Sequence, residues 1–361
     1  MKMIVRRTAL AVCTLVLAVT LSTAASAACT GFDDVPESAD CYESVMYLAE
    51  HEITQGTGNG YFSPDAPVTV RQWAMMLCRA YDVKVEGNSW SDLSQSAVEQ
   101  SYRKGWLNET ALSAPRSPMC RSMLVESAFA AADIPVYDST LYEGGASLST
   151  ADNILRVGRE LGLCSDDADT NALVTRGDAA IILHVVLTQS FRIEEPPVPV
   201  TLVNAAGVNV NDFLLELRKL PEQVLDAFNA AGWTYCIDFD YMGGLSKKLN
   251  MSCIGATNYS RKTIYISEAS ATLHEFGHFL DWMLGFPAEH EQLFRAEAAA
   301  APLRNYAKTN AREYFADCFA YCIIHGNDSE MMKSLRKNAP QTCTYFEELG
   351  KDSWSRSIRS K

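Results

Sequence analysis

The sequence predicts a multidomain protein with a mostly α-helical first half and an α+β second half. The chain has 361 residues, which leaves room for more than one domain. A two-helix pattern recurs three times in the first half, a proline-rich stretch follows, and the second half carries a metal-binding motif among candidate strands and helices.

The N-terminus has the pattern of a secretory signal peptide over residues 1–27. Three basic residues precede an apolar run at 9–21, and Ala25-Ser26-Ala27 fits a cleavage site. The apolar run is short for a membrane anchor. We therefore expect an exported chain, with no membrane span after the signal is cleaved.

Net charge limits the partners that we expect for this chain, and the cysteines indicate disulfides rather than a zinc site. The net charge of -13 becomes -16 once Lys2, Arg6 and Arg7 leave with the signal peptide, which argues against nucleic acid and anionic membranes as partners. Ten cysteines then remain, an even number that favours disulfides in an exported chain. No CxxC pair occurs, so a cysteine zinc site is not expected.

The first half contains an internal repeat. Phe32-Asp33-Asp34-Val35 and Trp90-Ser91-Asp92-Leu93 open two units, and each unit continues through a helix, a loop and a second helix. A period of roughly 50 to 60 residues, seen three times, is typical of stacked units that share a core. The repeats span about 30–85, 88–138 and 140–190 within a region from 28 to 190.

Repeat one closely resembles the S-layer homology (SLH) domain in its Phe32-Asp33-Asp34-Val35 opening and its Gly60-Tyr61-Phe62-Ser63-Pro64-Asp65 stretch. The resemblance implies a bacterial surface protein, with three copies forming a trefoil that binds cell-wall polysaccharide. The glycan-binding motif of that family matches best at Thr175, Arg176 and Asp178. These residues either bind a charged sugar or cap the next helix, since Thr followed by Asp three residues later is a capping-box arrangement.

A proline-rich linker at residues 191–200 separates the two halves. Pro196-Pro197-Val198-Pro199 fixes φ and removes backbone donors, so an extended, semi-rigid spacer is expected. The second domain then spans 201–361.

The second half carries an HExxH motif. His274 and His278 are four residues apart, about one helical turn, and so project from one face and can hold one metal ion. Glu275 lies beside them, where its carboxylate can take the proton of an attacking water. The motif indicates zinc-assisted peptide hydrolysis, and the alternative is an amphipathic helix with ordinary histidines.

A catalytic zinc needs a third protein ligand. The metzincin continuation, a third His after a glycine, is absent at 279–284. Downstream, Tyr306 and Glu313-Tyr-Phe-Ala-Asp317 read as a turn that enters a second helix. Together with His-Glu-Phe-Gly-His, this stretch resembles the catalytic domain of the anthrax lethal factor type, including the secreted Pro-Pro endopeptidases.

The lethal factor resemblance assigns roles to three further residues. It implies that Glu313 is the third zinc ligand and that Tyr306 stabilises the oxyanion. Asp317, one turn after Glu313, could orient a ligating imidazole. The alternatives are a solvated helix face for the two acids and a core aromatic for Tyr306.

Other patterns in the second half predict an α+β domain of the zincin type. Helices are expected at Asn211–Leu220 and Pro221–Ala231, and strands at Tyr235–Phe239 and Lys262–Ser267, with a turn at Gly243-Gly244. In zincins the strand before the HExxH helix lies at the sheet edge and pairs with substrate. We therefore expect substrate to lie along Lys262–Ser267.

The sequence as a whole is interpreted as a secreted, cell-wall or S-layer associated bacterial endopeptidase that binds one zinc ion per chain. Its expected partners are proline-rich peptides, with Pro-Pro preference implied by the resemblance alone, and cell-wall polysaccharide. Two alternatives are a non-catalytic S-layer protein with a protease-like scaffold and a toxin-like protease that cleaves host proteins. Pro196-Pro197 could itself be a substrate, which would release the enzyme from the wall.

Overall fold

A computed structural model describes residues 2–5 and 31–355. The predicted signal peptide lies outside the described residues, apart from a short strand at Lys2–Val5. The chain divides into two compact units, Met1–Glu195 and Pro196–Lys361. In the part that the structure describes, no helix has the length and apolar character needed to cross a membrane.

The regular secondary structure of the first unit is mainly α-helical. Its two strands, β1 (Lys2–Val5) and β2 (Phe191–Glu194), pair antiparallel, and a 3-10 turn lies at Ser139–Leu141. The α-helices are α1 (Tyr42–Glu50), α2 (Val70–Ala80), α3 (Trp90–Arg103), α4 (Glu109–Ser113), α5 (Arg121–Ala131), α6 (Thr150–Glu160) and α7 (Arg176–Thr188).

Three extended segments, one from each predicted repeat, meet in a closed ring of backbone hydrogen bonds. Val68 N–H donates to the carbonyl of Val174, Met119 N–H to Val68, and Val174 N–H to Met119, at 2.9, 2.9 and 3.0 Å. All three side chains are fully buried. Because each segment directly precedes a helix, the ring places the starts of α2, α5 and α7 around one centre.

The second unit is built on a four-stranded mixed sheet. Its strands are β3 (Leu202–Asn204), β4 (Thr234–Ile237), β5 (Gly255–Asn258) and β6 (Thr263–Ile266), in the order β3-β4-β6-β5. The first three strands in this order run parallel to one another, and β5 is antiparallel to β6. The α-helices are α8 (Asn211–Leu217), α9 (Glu222–Ala230), α10 (Phe239–Leu249), α11 (Thr272–Met283), α12 (Ala288–Glu297), α13 (Ala311–His325), α14 (Ser329–Asn338) and α15 (Pro340–Lys351).

Two local expectations for this unit are wrong. Gly243-Gly244 is not a turn but lies inside α10, which Asp238 caps at its start and Asn250 ends in a left-handed conformation. β6 is not an edge strand, because it pairs with β4 on one side and β5 on the other. The edge strands of this sheet are β3 and β5, and β5 is the one next to β6.

An aromatic core fixes α11 against the sheet. Phe276 and Phe279 on α11 pack with Phe228 and Trp233, with ring centroids 4.8 to 5.2 Å apart, and all four are buried. Aromatic pairs at this spacing add to the free energy that burial alone provides. The polar residues of α11 are thereby directed toward α13 and β5.

The crossing of α11 and α13 is close because α11 has a glycine at the contact. A Cβ on Gly277 would lie 2.6 Å from Ala316 Cα and 2.8 Å from its carbonyl oxygen. Only a residue without a side chain permits this approach. The two histidines of α11 and Glu313 of α13 therefore come from helices whose backbones touch.

Buried polar contacts hold the remaining helices to this pair. His290 lies between Asp281 Oδ1 and the Tyr345 hydroxyl, at 2.7 Å from each, and stacks on Phe315. Glu297 accepts two backbone N–H bonds at the start of α15. Because these buried groups all have partners, they rigidify the fold without a desolvation penalty.

Candidate metal centre

Three potential ligand atoms converge between α11 and α13. Nε2 of His274 and Nε2 of His278 are 3.1 Å apart, and Oε2 of Glu313 lies 3.1 and 3.3 Å from them. Ligands around a tetrahedral zinc ion at about 2.0–2.1 Å are separated by about 3.3 Å. The side chains thus form one face of a tetrahedron, and these three residues can hold a metal ion.

One buried oxygen at the centre shows what this donor set lacks. Among the described residues, Glu313 Oε2 has no hydrogen-bond partner of acceptable geometry. Glu313 Oε2 lies near both imidazoles, but the geometry of these contacts is not that of hydrogen bonds. A cation at the convergence point would satisfy the carboxylate oxygen, so the residues present fit a metal.

The protonation of the ligands follows from their surroundings. Burial raises the pKa of Glu313, but the two histidines outweigh it and hold that pKa well below its usual range. Burial lowers the pKa of His274, while the hydrogen bond with Asp317 and the nearby carboxylates of Glu313 and Glu275 raise it to about 9. The carboxylate is therefore ionised and ready to bind a cation, whereas a metal must displace a proton from His274.

Asp317 holds the first histidine in place. Its Oδ1 lies 2.6 Å from Nδ1 of His274, which leaves Nε2 directed toward the other ligands. Arg304 donates to both Asp317 oxygens at 2.6 Å, and its guanidinium also lies over the ring of Tyr306. The sequence interpretation includes Asp317 but misses Arg304, whose position two residues before Tyr306 is the only signal in the sequence.

Glu275 is fixed from the sheet side. The Thr257 hydroxyl donates to its Oε2 at 2.7 Å, and the residue is 5% exposed. A Cβ at Gly255 would lie 2.6 Å from Oε1 of Glu275, so the carboxylate rests directly against the glycine backbone of β5. Sequence reasoning misses Gly255 and Thr257, because the Gly255–Asn258 stretch has too little apolar alternation to predict a strand.

Tyr306 faces the same cleft from a 3-10 turn at Asn305–Lys308. Its ring centroid is 6.1 Å from that of His274, and the residue is 42% exposed. Burial, followed by the charges of Glu313 and Glu275, raises the pKa of its phenol to about 12. The hydroxyl therefore stays protonated and can donate a hydrogen bond at any physiological pH.

The cleft opens on both sides of the donor set. One chamber of about 660 Å³ extends past Arg304 to Tyr321 and Ile324 on α13. The other, of about 590 Å³, extends past His278 to Tyr259 and Arg312. His274, Glu275, Tyr306 and the Met251–Gly255 segment line both, so a chain molecule lying in the cleft would pass directly over the donor atoms.

The predicted glycan-binding residues of the first unit lie at the start of α7. The Thr175 hydroxyl accepts from the Asp178 N–H at 3.1 Å and so caps the helix. Arg176 is 4% exposed, donates to the Phe62 carbonyl and stacks on that ring. Asp178 lies 3.8 Å from Arg121 of repeat two. In this arrangement the Asp178 side chain is 43% exposed, while Thr175 and Arg176 stabilise the fold.

The disulfides expected from the even cysteine count are not observed. Nine cysteines fall within the described residues, and all of them are free. Cys318 and Cys322 lie on α13 and Cys343 lies on α15, which packs against it, and burial raises the pKa of Cys322 to about 12.

Comparison with known protein families supports both halves of the interpretation. A search of curated proteins found no match. Residues 31–69, the part of the first repeat before α2, match the S-layer homology domain. Residues 233–349, which include both histidines, Glu275, Tyr306, Glu313 and Asp317, match the family described as anthrax toxin lethal factor, N- and C-terminal domain. The chain therefore combines an SLH domain with a lethal factor-type domain.

Proposed function

We propose that the protein is a zinc metalloendopeptidase associated with the bacterial cell surface. The observation that carries this proposal is the convergence of His274, His278 and Glu313 in one cleft that also presents Glu275 and Tyr306. Two nitrogen donors and one carboxylate form the ligand set of catalytic zinc, which keeps a further position open.

Each side chain of the cleft has a distinct part in peptide hydrolysis. Zinc held by the triad would supply Lewis-acid polarisation of the scissile carbonyl. Glu275, held by Thr257, takes the proton of the attacking water and returns it to the leaving amine. Tyr306 donates to the oxyanion, and Asp317 keeps His274 in the tautomer that presents Nε2.

The cleft suits an extended, apolar peptide. β5 has an open edge that lines the cleft through Gly255, and extended substrates can add to such an edge. Large apolar side chains are exposed around it, including Leu249 at 51%, Met251 at 47% and Ile324 at 56%. Patches of this kind mark binding sites. A proline-rich peptide, with Pro-Pro as the bond cleaved, fits an apolar cleft, and the specificity itself comes from the family resemblance.

The first unit would hold the enzyme at the bacterial wall. SLH domains bind cell-wall polysaccharide, the predicted signal peptide would export the chain, and the ring of Val68, Met119 and Val174 supports a trefoil arrangement of the three repeats. Thr175, Arg176 and Asp178 remain the proposed glycan-binding residues, with Asp178 more exposed than Arg176.

The test combines zinc content with cleavage of a proline-rich peptide library by the mature protein and by Glu275→Gln. One zinc per chain in both proteins, with cleavage at least about a hundredfold slower in the variant, is expected. Glu268→Gln is the matched control, because that carboxylate precedes the same helix yet lines neither chamber. The same samples show whether Pro196-Pro197 is cut in the chain itself.

Two results would reject the proposal. A chain that binds no zinc would point to the non-catalytic surface protein. Equal cleavage by Glu275→Gln would show that the carboxylate is not the base.

A further inference from the structure

Arg312 lies in the cleft but has no role in the proposed reaction. It lines the chamber on the His278 side, directly before the ligand Glu313, and no carboxylate of a described residue lies within 4.0 Å of its guanidinium. Arg312 is an exposed residue, so a ligand in this chamber can reach it.

The nearby carboxylates already have other partners. Glu291 also lines the chamber and pairs with Arg295 at 2.7 Å. Glu275 accepts from Thr257, and Glu313 faces the two histidines. None of them approaches Arg312 closely enough for an ion pair.

Two aromatic rings hold the guanidinium instead. Its carbon lies 4.3 Å from the centroid of Phe286 and 5.7 Å from that of Tyr259. A cation over aromatic faces is stabilised and loses mobility, while the N–H edges of the planar group stay available for hydrogen bonds. The rings therefore orient the guanidinium without accepting hydrogen bonds from the N–H groups at its edges.

The backbone at Phe286 supports a dedicated role for this arrangement. Phe286 has φ +50°, in the left-handed region that bulky residues rarely adopt. It follows Gly285 where α11 ends, and its N–H donates to the Asp281 carbonyl. This conformation places the ring against Arg312, and strained residues of this kind cluster at ligand sites.

We propose that Arg312 binds a carboxylate of the substrate, so that the enzyme prefers peptides with an anionic group on the His278 side of the cleaved bond. The inference rests on the proposed peptidase function. A guanidinium matches a carboxylate with two parallel hydrogen bonds, and few other peptide groups use this geometry. The carboxylate can come from an acidic side chain or from the C-terminus of a peptide.

The experiment compares matched peptides that differ in charge alone. The best-cleaved peptide of the proline-rich library is changed to Glu or to Gln at each position around the cut, with all C-termini amidated. A second set, with Gln at every tested position, ends in a free carboxylate at the same positions. The ratios of kcat/KM for Glu over Gln and for free acid over amide are measured for the wild-type chain, Arg312→Gln and Lys333→Gln. Lys333 is the charge-matched control, because it lies exposed on α14 and outside both chambers.

We expect Glu to be preferred over Gln by about tenfold at one position. The preference should disappear in Arg312→Gln, with unchanged zinc content and melting temperature, and persist in Lys333→Gln. Preference in the amidated set assigns the group to an acidic side chain, and preference in the free-acid set alone assigns it to a terminal carboxylate. A ratio near one at every position, or a preference that survives Arg312→Gln, overturns the inference.

A binding measurement separates this inference from the peptidase proposal. Three peptide hydroxamates are titrated into zinc-loaded Glu275→Gln protein with and without Arg312→Gln. One carries Glu and one carries Gln, both with amidated C-termini, and the third carries Gln and a free C-terminal carboxylate. Tighter binding of either carboxylate ligand than of the amidated Gln ligand, lost with Arg312→Gln, supports Arg312 as a carboxylate site even if the wild-type protein cleaves nothing. Equal binding of all three ligands rejects it even if the protein is a peptidase.

Discussion

Gly277→Ala tests whether the close contact between α11 and α13 sets the metal site. The added Cβ would lie 2.6 Å from Ala316 Cα, and ordinary contact begins at 3.4 Å, so the helices must separate by about 0.8 Å. The obstacle is backbone, which cannot rotate away as a flexible side chain could.

The expected magnitudes follow from two opposed effects. Alanine favours a helix over glycine by about 0.5–1 kcal/mol, whereas overpacking costs about 1–3 kcal/mol. The net loss of about 1–2 kcal/mol should lower the melting temperature of the second unit by several degrees. More importantly, the shift exceeds the roughly 0.5 Å within which functional groups must be held. Because Ala316 lies one turn after Glu313, we expect zinc affinity to fall by about tenfold or more.

The assay is thermal unfolding together with zinc titration against a competing chelator. Gly243→Ala is the matched control, since Gly243 lies inside α10 with nothing within 4 Å of its added Cβ. That substitution should stabilise the chain by about 0.5–1 kcal/mol and leave zinc affinity unchanged. If Gly277→Ala behaved like Gly243→Ala in both measurements, the reasoning from the helix contact would be refuted.

Three further predictions concern single groups of the site. Asp317→Ala should weaken zinc binding by about 10–100-fold. Arg304→Met should weaken it by less, because the hydrogen bond between His274 and Asp317 remains. Equal zinc affinities of the two variants, measured by chelator competition, would contradict this. Tyr306→Phe should keep zinc affinity but lower kcat by about a hundredfold, and an unchanged kcat would exclude its hydroxyl from the reaction. The pKa of His274 is raised to about 9, so zinc must displace a proton from this side chain below that pH. The affinity for zinc should therefore increase with pH up to about 9. A zinc affinity that does not change between pH 6 and 8 would show that His274 is already neutral.

Local spacing predicted most of the donor set. His274 and His278 lie one turn apart on α11, and Asn310 caps the helix that carries Glu313 and Asp317, as the turn before it indicated. These relations span only a few residues. A helix converts them into geometry regardless of the rest of the fold.

Tertiary relations could not be read from the sequence in the same way. The order of strands depends on how the chain crosses the sheet. The sequence therefore predicts Lys262–Ser267 as the edge strand, whereas in the structure β5 lies outside it. Gly243-Gly244 looked like a turn, but capping by Asp238 and packing of Met242 hold it helical. Arg304 and Thr257 contact site residues 13 and 18 positions away, and their neighbours in sequence give no hint of those contacts.

The burial of the site bears on the choice between an enzyme and an inert scaffold. His274, Glu275, His278 and Asp317 are all less than 9% exposed, in a helix pair whose other contacts are aromatic and small apolar residues. Replacing buried ionic sets by apolar residues of similar volume is often neutral or stabilising by about 1–4 kcal/mol. The fold itself therefore gains little from these groups, and one carboxylate oxygen of the site lacks a partner among the described residues. A scaffold would be at least as stable without them, whereas a metal-dependent peptidase needs each one where it lies.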